Sequence, residues 1–200
     1  MPTCSNHKFY EPIQPAPIIF TSMTDTIFQY NGVITGSRNI FLKKTIDYGT
    51  SWRVLRPISI ADQIYIKAKR IRTIQEAGVQ QVADDIPDEF RGIINYAVIG
   101  LIQLQLATDE IEDLPADQVA ILYDEQVAAA KELMQRKNAD YGEAWRDMSQ
   151  ESFTDMILQK LYRMKQIIRN GGQTLISEGL DANYYDIINY GVFALILYGE

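Results

Sequence analysis

The sequence predicts an all-α protein, a helical bundle built from a tandem duplication of a three-helix unit with pseudo-twofold symmetry. Three observations lead there. Asp47-Tyr48-Gly49-Thr50-Ser51-Trp52-Arg53 returns as Asp140-Tyr141-Gly142-Glu143-Ala144-Trp145-Arg146, an offset of 93 residues that holds without a gap from about Phe28 to Gly78. Apolar residues in both copies recur at helical spacing. No alternating β-branched runs bounded by turns compete with that pattern. The chain has 200 residues, 46% of them hydrophobic, enough for a core shared by two copies. The copies span residues 24–110 and 111–200, and the period is too long for a solenoid.

Residues 1–23 hold four of the seven prolines and the run Ile18-Ile19-Phe20, which suits an extended arm that packs on the body or frays. No basic start precedes a long apolar stretch, which argues against a secretory signal. Apolar runs fall far short of the roughly 20 residues that span a bilayer, so a soluble cytoplasmic protein is expected.

The first helix of each copy is predicted over Thr24 to Lys44 and Asp117 to Lys137. Val119, Leu122, Val127, Ala130, Leu133 and Met134 form its apolar stripe in the second copy. Gly49 and Gly142 then stop it, because glycine takes the left-handed conformation at little cost. The second helix is predicted to start at Ser59 or Ser152, each followed three residues later by Asp62 or Asp155, a spacing close to a capping box. Its apolar positions are Ile60, Ile64, Ile71 and Ile74, matched by Phe153, Ile157, Met164 and Ile167. After one extra residue the third helix shows Ile93-Ile94-Asn95-Tyr96 against Ile187-Ile188-Asn189-Tyr190, with both Asn-Tyr pairs read as lying off the stripe.

Composition narrows the chemistry. One cysteine, Cys4, excludes an internal disulfide framework, and one histidine, His7, removes most histidine catalysis from the body. There are 26 acidic against 19 basic residues, a net charge of -7, which disfavours a nucleic-acid-gripping role. What remains is chemistry by carboxylates, lysines, arginines, tyrosines and a hard metal ion.

Lys67 and Lys160 stand out because each sits within the apolar stripe of its second helix. An ammonium there is costly unless it meets a carboxylate or a phosphate. Arg70 and Arg163 follow one turn on, so each helix offers two cations to an anionic ligand; a snorkelling lysine or a structural ion pair is the alternative. Asp47 and Asp140 can bond their turns, while Tyr48, Tyr141, Trp52 and Trp145 can anchor the loop or stack on a base. Asp62 and Asp155 suit capping, with metal ligation as the other role. The third helices diverge: the second copy has Glu178, Asp181 and Asp186, whereas the first has Asp88 and Glu89 with Gly92 where Asp186 would stand. Neighbouring carboxylates can hold magnesium, which makes the second copy the expected site.

The run Lys-Asn-x-Asp-Tyr-Gly-x-x-Trp from Lys137 to Trp145, then Ser-x-x-Asp with Lys and Arg, then Asp-Ile-Ile-Asn-Tyr from Asp186 to Tyr190, resembles the nucleotide modification associated domain 1 family. The resemblance covers nearly everything from Thr24 to Glu200 and implies helices similar to the all-α nucleoside triphosphate pyrophosphohydrolases (MazG-like). Those enzymes hold magnesium on a Glu-x-x-Glu helix; this chain carries Lys67 and Lys160 on its second helices and no such motif. The resemblance therefore implies nucleotide binding more strongly than pyrophosphate release. On this reading Asp140, Asp155, Glu178, Asp181 and Asp186 ligate magnesium. Lys160 and Arg163, with Lys67 and Arg70 in the first copy, neutralise phosphate. Tyr141 or Trp145 stacks on the base, and Asn189 orients a polar group. The competing expectation is a non-catalytic, pseudo-symmetric interaction protein whose polar repeats are caps and salt bridges. Whether the chain forms a homo-oligomer is left open by the sequence.

Overall fold

The computed structural model describes residues 23–80, 83, 85–106, 113–176 and 178–200. The N-terminal arm, apart from Met23, and the boundary between the copies at 110/111 lie outside the described residues. Six α-helices follow in order: α1 (Met23–Tyr48), α2 (Pro57–Ala77), α3 (Ile86–Gln105), α4 (Ala116–Tyr141), α5 (Gln150–Arg169) and α6 (Leu180–Leu197). Each repeat thus contributes three helices, and no strand occurs among the described residues.

The first helix of each repeat runs one turn past its expected end, through the Asp and Tyr of the repeated motif. Gly49 (φ 63°) and Gly142 (φ 58°) then terminate it in the left-handed region, donating their N–H to Thr45 and Asn138 carbonyls at 2.9 Å. Short 3-10 turns, Ser51–Val54 and Ala144–Asp147, swing Trp52 and Trp145 into the core. Asp47 and Asp140 stay exposed. The turn after α1 is fastened instead by Asp113, whose carboxylate accepts from the N–H and hydroxyl of Thr50, both at 2.7 Å. Those bonds hold its pKa below the usual carboxylate value.

The second helices start earlier than Ser59 and Ser152. Pro57 opens α2, where its fixed φ suits a first turn and its missing N–H costs nothing. In α5 the cap is Ser149, which accepts from the Ser152 N–H at 3.3 Å. Ser59 and Ser152 are therefore interior residues of their first turns, and Asp62 and Asp155 lie a turn too deep to cap anything. They make cross-repeat ion pairs: Asp62 with Lys165 at 2.6 Å and Asp155 with Arg72 at 3.5 Å. Arg72 and Lys165 are themselves repeat equivalents, so the two bridges are one contact made twice.

α3 packs on α6 and α2 on α5, with α2 on α3 and α5 on α6 closing a four-helix centre; α1 and α4 flank it. α3 and α6 are buried on nearly every side, from Phe90 to Ile102 and from Asn183 to Ile196. Asn95 and Asn189, placed off the stripe by periodicity, are consequently inside. Tyr30 donates its hydroxyl to Asn189 Oδ1 at 2.9 Å, and Asn189 Nδ2 donates to the Ala130 carbonyl at 3.0 Å. The mirror arrangement joins Tyr123 to Asn95 Oδ1 at 2.9 Å and Asn95 Nδ2 to the Ser37 carbonyl at 3.0 Å. Each asparagine ties its own repeat's first helix to the tyrosine of the other repeat. This reciprocity is the pseudo-twofold axis expressed in hydrogen bonds.

Equivalence makes a prediction. Tyr30→Phe and Tyr123→Phe should each cost about 1–3 kcal/mol, because each leaves a buried amide oxygen without its donor. Chemical denaturation of the two variants should give closely similar losses. Costs that differ severalfold would contradict the symmetry of the two relays.

Candidate functional site: a cleft in the first repeat

α1, α2 and α3 enclose a cleft of about 560 Å³, and every lining residue belongs to the first repeat. The extra turn of α1 places Lys44 and Tyr48 on its wall, four residues apart and so on one helix face. Trp52 contributes from the 3-10 turn, Gln63 and Lys67 from α2, and Glu89, Arg91, Gly92 and Tyr96 from α3. Tyr48 is 57% exposed. Partial burial, then the proximity of Tyr96 and Asp47, raises its pKa above the ordinary tyrosine value.

The charges are organised around one acid. Glu89 is buried; its carboxylate accepts from Lys67 Nζ at 3.0 Å and from Arg70. Arg91 is held at the end of α3 by Asp88 at 2.8 Å and by Glu200. Lys44, exposed, has no ion-pair partner among the described residues.

The second repeat arranges the same parts differently. Its acid is Asp186, 4% exposed, one helical turn further along than the residue equivalent to Glu89, which is Asn183. Asp186 accepts from Lys160 Nζ and from Lys137 Nζ, both at 2.6 Å. Lys137 and Lys160 are the repeat equivalents of Lys44 and Lys67, and Gly92 is the equivalent of Asp186. Moving the acid by one turn therefore exchanges its second partner, from an arginine of the second helix to a lysine of the first. Arg163, released from that role, is exposed and has no ion pair among the described residues. Phe193, where the first repeat has Ile99, stacks on Trp145 with ring centroids 4.2 Å apart and planes at 6°. Arg146 covers the same indole at 4.3 Å.

Lys160 is buried against Asp186, Trp145 lies in the core between Phe193 and Arg146, and Asn189 is committed to its relay, so none of the three faces a ligand as predicted. Tyr141 is 71% exposed on the last turn of α4. Lys67 and Arg70 meet at Glu89 beside the cleft, the structural ion pair that was the alternative to an anionic ligand.

The acids proposed for magnesium do not assemble. Glu178, Asp181 and Asp186 line a hollow of about 280 Å³ beside Lys137, yet both Asp186 oxygens are taken by ammonium groups. Asp140 is exposed on α4, and Asp155 faces Arg72. No three His, Cys, Asp or Glu side chains among the described residues form a cluster that could hold a metal ion. The donor set does not fit the ion, and no step is assigned to it.

Sequence reasoning missed Lys44, Lys137 and the role of Glu89. The signal was present in the exchange of Gly92 for Asp186: the acid that pairs with both lysines in the second copy is absent from that position in the first, where Lys67 pairs with Glu89 and Lys44 has no ion-pair partner among the described residues.

The fold and the cleft define a class: a duplicated all-α protein whose two repeats share one frame but differ in the seat between their helices. Residues 44–104 and 137–197 both match the family described as nucleotide modification associated domain 1, together more than half of the chain, and the protein belongs to that family. Each match begins at a lysine of the first helix of its repeat, Lys44 or Lys137. No curated protein sequence and no solved structure matches the chain. Among the described residues no helix is long and apolar enough to cross a membrane.

Proposed function

We propose that this protein binds a nucleotide in the first-repeat cleft, with phosphate against Lys44 and Lys67 and the base against Tyr48 and Tyr96. The observation that carries the reading is Gly92. Where the second repeat has a carboxylate between two lysines, the first has open volume with the same two lysines on its wall. Ammonium groups act as compact phosphate partners, and tyrosine rings offer sequence-tolerant stacking faces. The family's association with nucleotide modification supports the same ligand class. The reading is of binding: the acids near the cleft, Asp88 and Glu89, are each paired with a cation, so pyrophosphate release is not part of it.

The test is a calorimetric titration with nucleoside mono- and triphosphates. Tyr48→Ala should lose about 1–3 kcal/mol of binding, the usual worth of one base stack. Lys44→Ala should weaken phosphate-bearing ligands about tenfold, or about 1.4 kcal/mol, and leave nucleosides unaffected. A wild-type protein that binds none of the panel at millimolar concentration would overturn the reading.

A further inference from the structure

We infer that the second repeat is a self-liganded copy of the first repeat's seat, in which the Asp186 carboxylate stands where the ligand's anionic group sits in the first. The inference rests on the binding reading above and specifies its anchoring point. Asp186 presents one oxygen to Lys137 and the other to Lys160, each at 2.6 Å. The matching lysines, Lys44 and Lys67, line the open cleft together with Gly92. A ligand group with two anionic oxygens, a phosphate monoester or a carboxylate, completes in the first repeat the bridge that Asp186 completes internally in the second.

The first seat is held ready by a second contact. Lys67 lies across Gly92 on its way to Glu89: a Cβ added at Gly92 would stand 2.9 Å from Lys67 Cε and 3.1 Å from its Nζ. Glu89, which also pairs with Arg70, holds that ammonium against Gly92, and Lys44 lines the same cleft. Glu89, one turn before Gly92, keeps Lys67 from burying an unpaired charge without filling the seat itself. In the second repeat that position is Asn183, and Asp186 does both jobs.

The two repeats should therefore be interconvertible by single substitutions. Wild-type protein titrated with inorganic phosphate should bind one equivalent per chain. Gly92→Asp should bind none, because the new carboxylate takes Lys44 and Lys67, while Gly92→Ala, whose methyl group shifts the end of Lys67 without supplying an anion, should lose less affinity than Gly92→Asp. Asp186→Gly should bind two. Asp186→Asn keeps the side chain's shape but leaves Lys137 and Lys160 without their anion. Its melting temperature should rise with phosphate by several degrees more than that of the wild type, a readout that stands if the glycine variant does not fold. A parallel acetate titration distinguishes a carboxylate ligand from a phosphate.

One equivalent in both wild type and Asp186→Gly, with no extra phosphate response in Asp186→Asn, would overturn the equivalence. So would undiminished binding in Gly92→Asp, or equal losses in Gly92→Asp and Gly92→Ala. Phosphate binding at the predicted ratios without any nucleotide binding would sink the proposed function and leave this inference standing. Nucleotide binding that ignores Gly92→Asp would do the reverse.

Discussion

Between pH 10 and 12 the protein should unfold in one cooperative step. Four tyrosines drive it. Tyr30, Tyr123 and Tyr184 are buried deeply enough that desolvation pushes their pKa values far above the ordinary value near 10, and Tyr190 is pushed up to about 12. In the unfolded chain all four release their protons near pH 10, while the folded chain still holds them. Above that pH the unfolded state binds fewer protons, so stability falls as pH rises, by about 1.4 kcal/mol per pH unit for each deeply buried tyrosine. Tyr30, Tyr123 and Tyr184 together remove about 4 kcal/mol per unit, and the partly exposed Tyr190 adds a smaller share, against a total of roughly 5–15 kcal/mol for a domain. Below about pH 9 these groups contribute no pH dependence. Circular dichroism should lose helicity in the same narrow interval in which tyrosinate absorbance jumps. A tyrosinate titration that is gradual, with helicity retained to pH 12, would contradict the burial of these hydroxyls.

Asp186→Ala should be among the most damaging single substitutions, costing about 3–5 kcal/mol, because it strands a buried ammonium at Lys160 beside a second one at Lys137. Lys160→Met should change stability by less than about 1 kcal/mol. Asp186 keeps Lys137 as its partner, and a methionine fills the lysine's volume in an apolar surrounding. In thermal terms the first loss is about 10 °C and the second a few degrees at most. Equal costs for the two would mean that Lys137, whose side chain is 45% exposed, does not neutralise the acid on its own.

The helices were legible because each was written twice. A Trp, a Gly and an Asn-Tyr pair in one register narrow the choices more than propensity does, and helix endings at Gly49 and Gly142 need only local backbone physics. Helix starts were less legible. Ser59 and Ser152 have the right chemistry for a cap, yet Pro57 and Ser149 reach the first turn before them. Asn95 and Asn189 were misplaced for a different reason: a helical wheel assumes one wet face, and α3 and α6 have almost none. The cost of an ammonium on an apolar stripe called for an anionic partner at Lys67 and Lys160, and Glu89 and Asp186 are those partners. What no periodicity could supply was the choice of acid. Glu89 and Asp186 sit one turn apart on equivalent helices, and the cations each reaches follow from the turn that carries it.

The reciprocal Tyr30–Asn189 and Tyr123–Asn95 bonds make each half of the chain part of the other's interior. In an assembly of two separate identical chains, any change to the seat would appear twice, and a carboxylate entering one would enter both. Joining the copies in a single polypeptide removes that constraint. One codon can acquire a carboxylate while its counterpart keeps glycine, and the shared interior, which does not distinguish the halves, carries both outcomes. Duplication within one chain lets Asp186 and Gly92 stand at equivalent positions of a single shared interior.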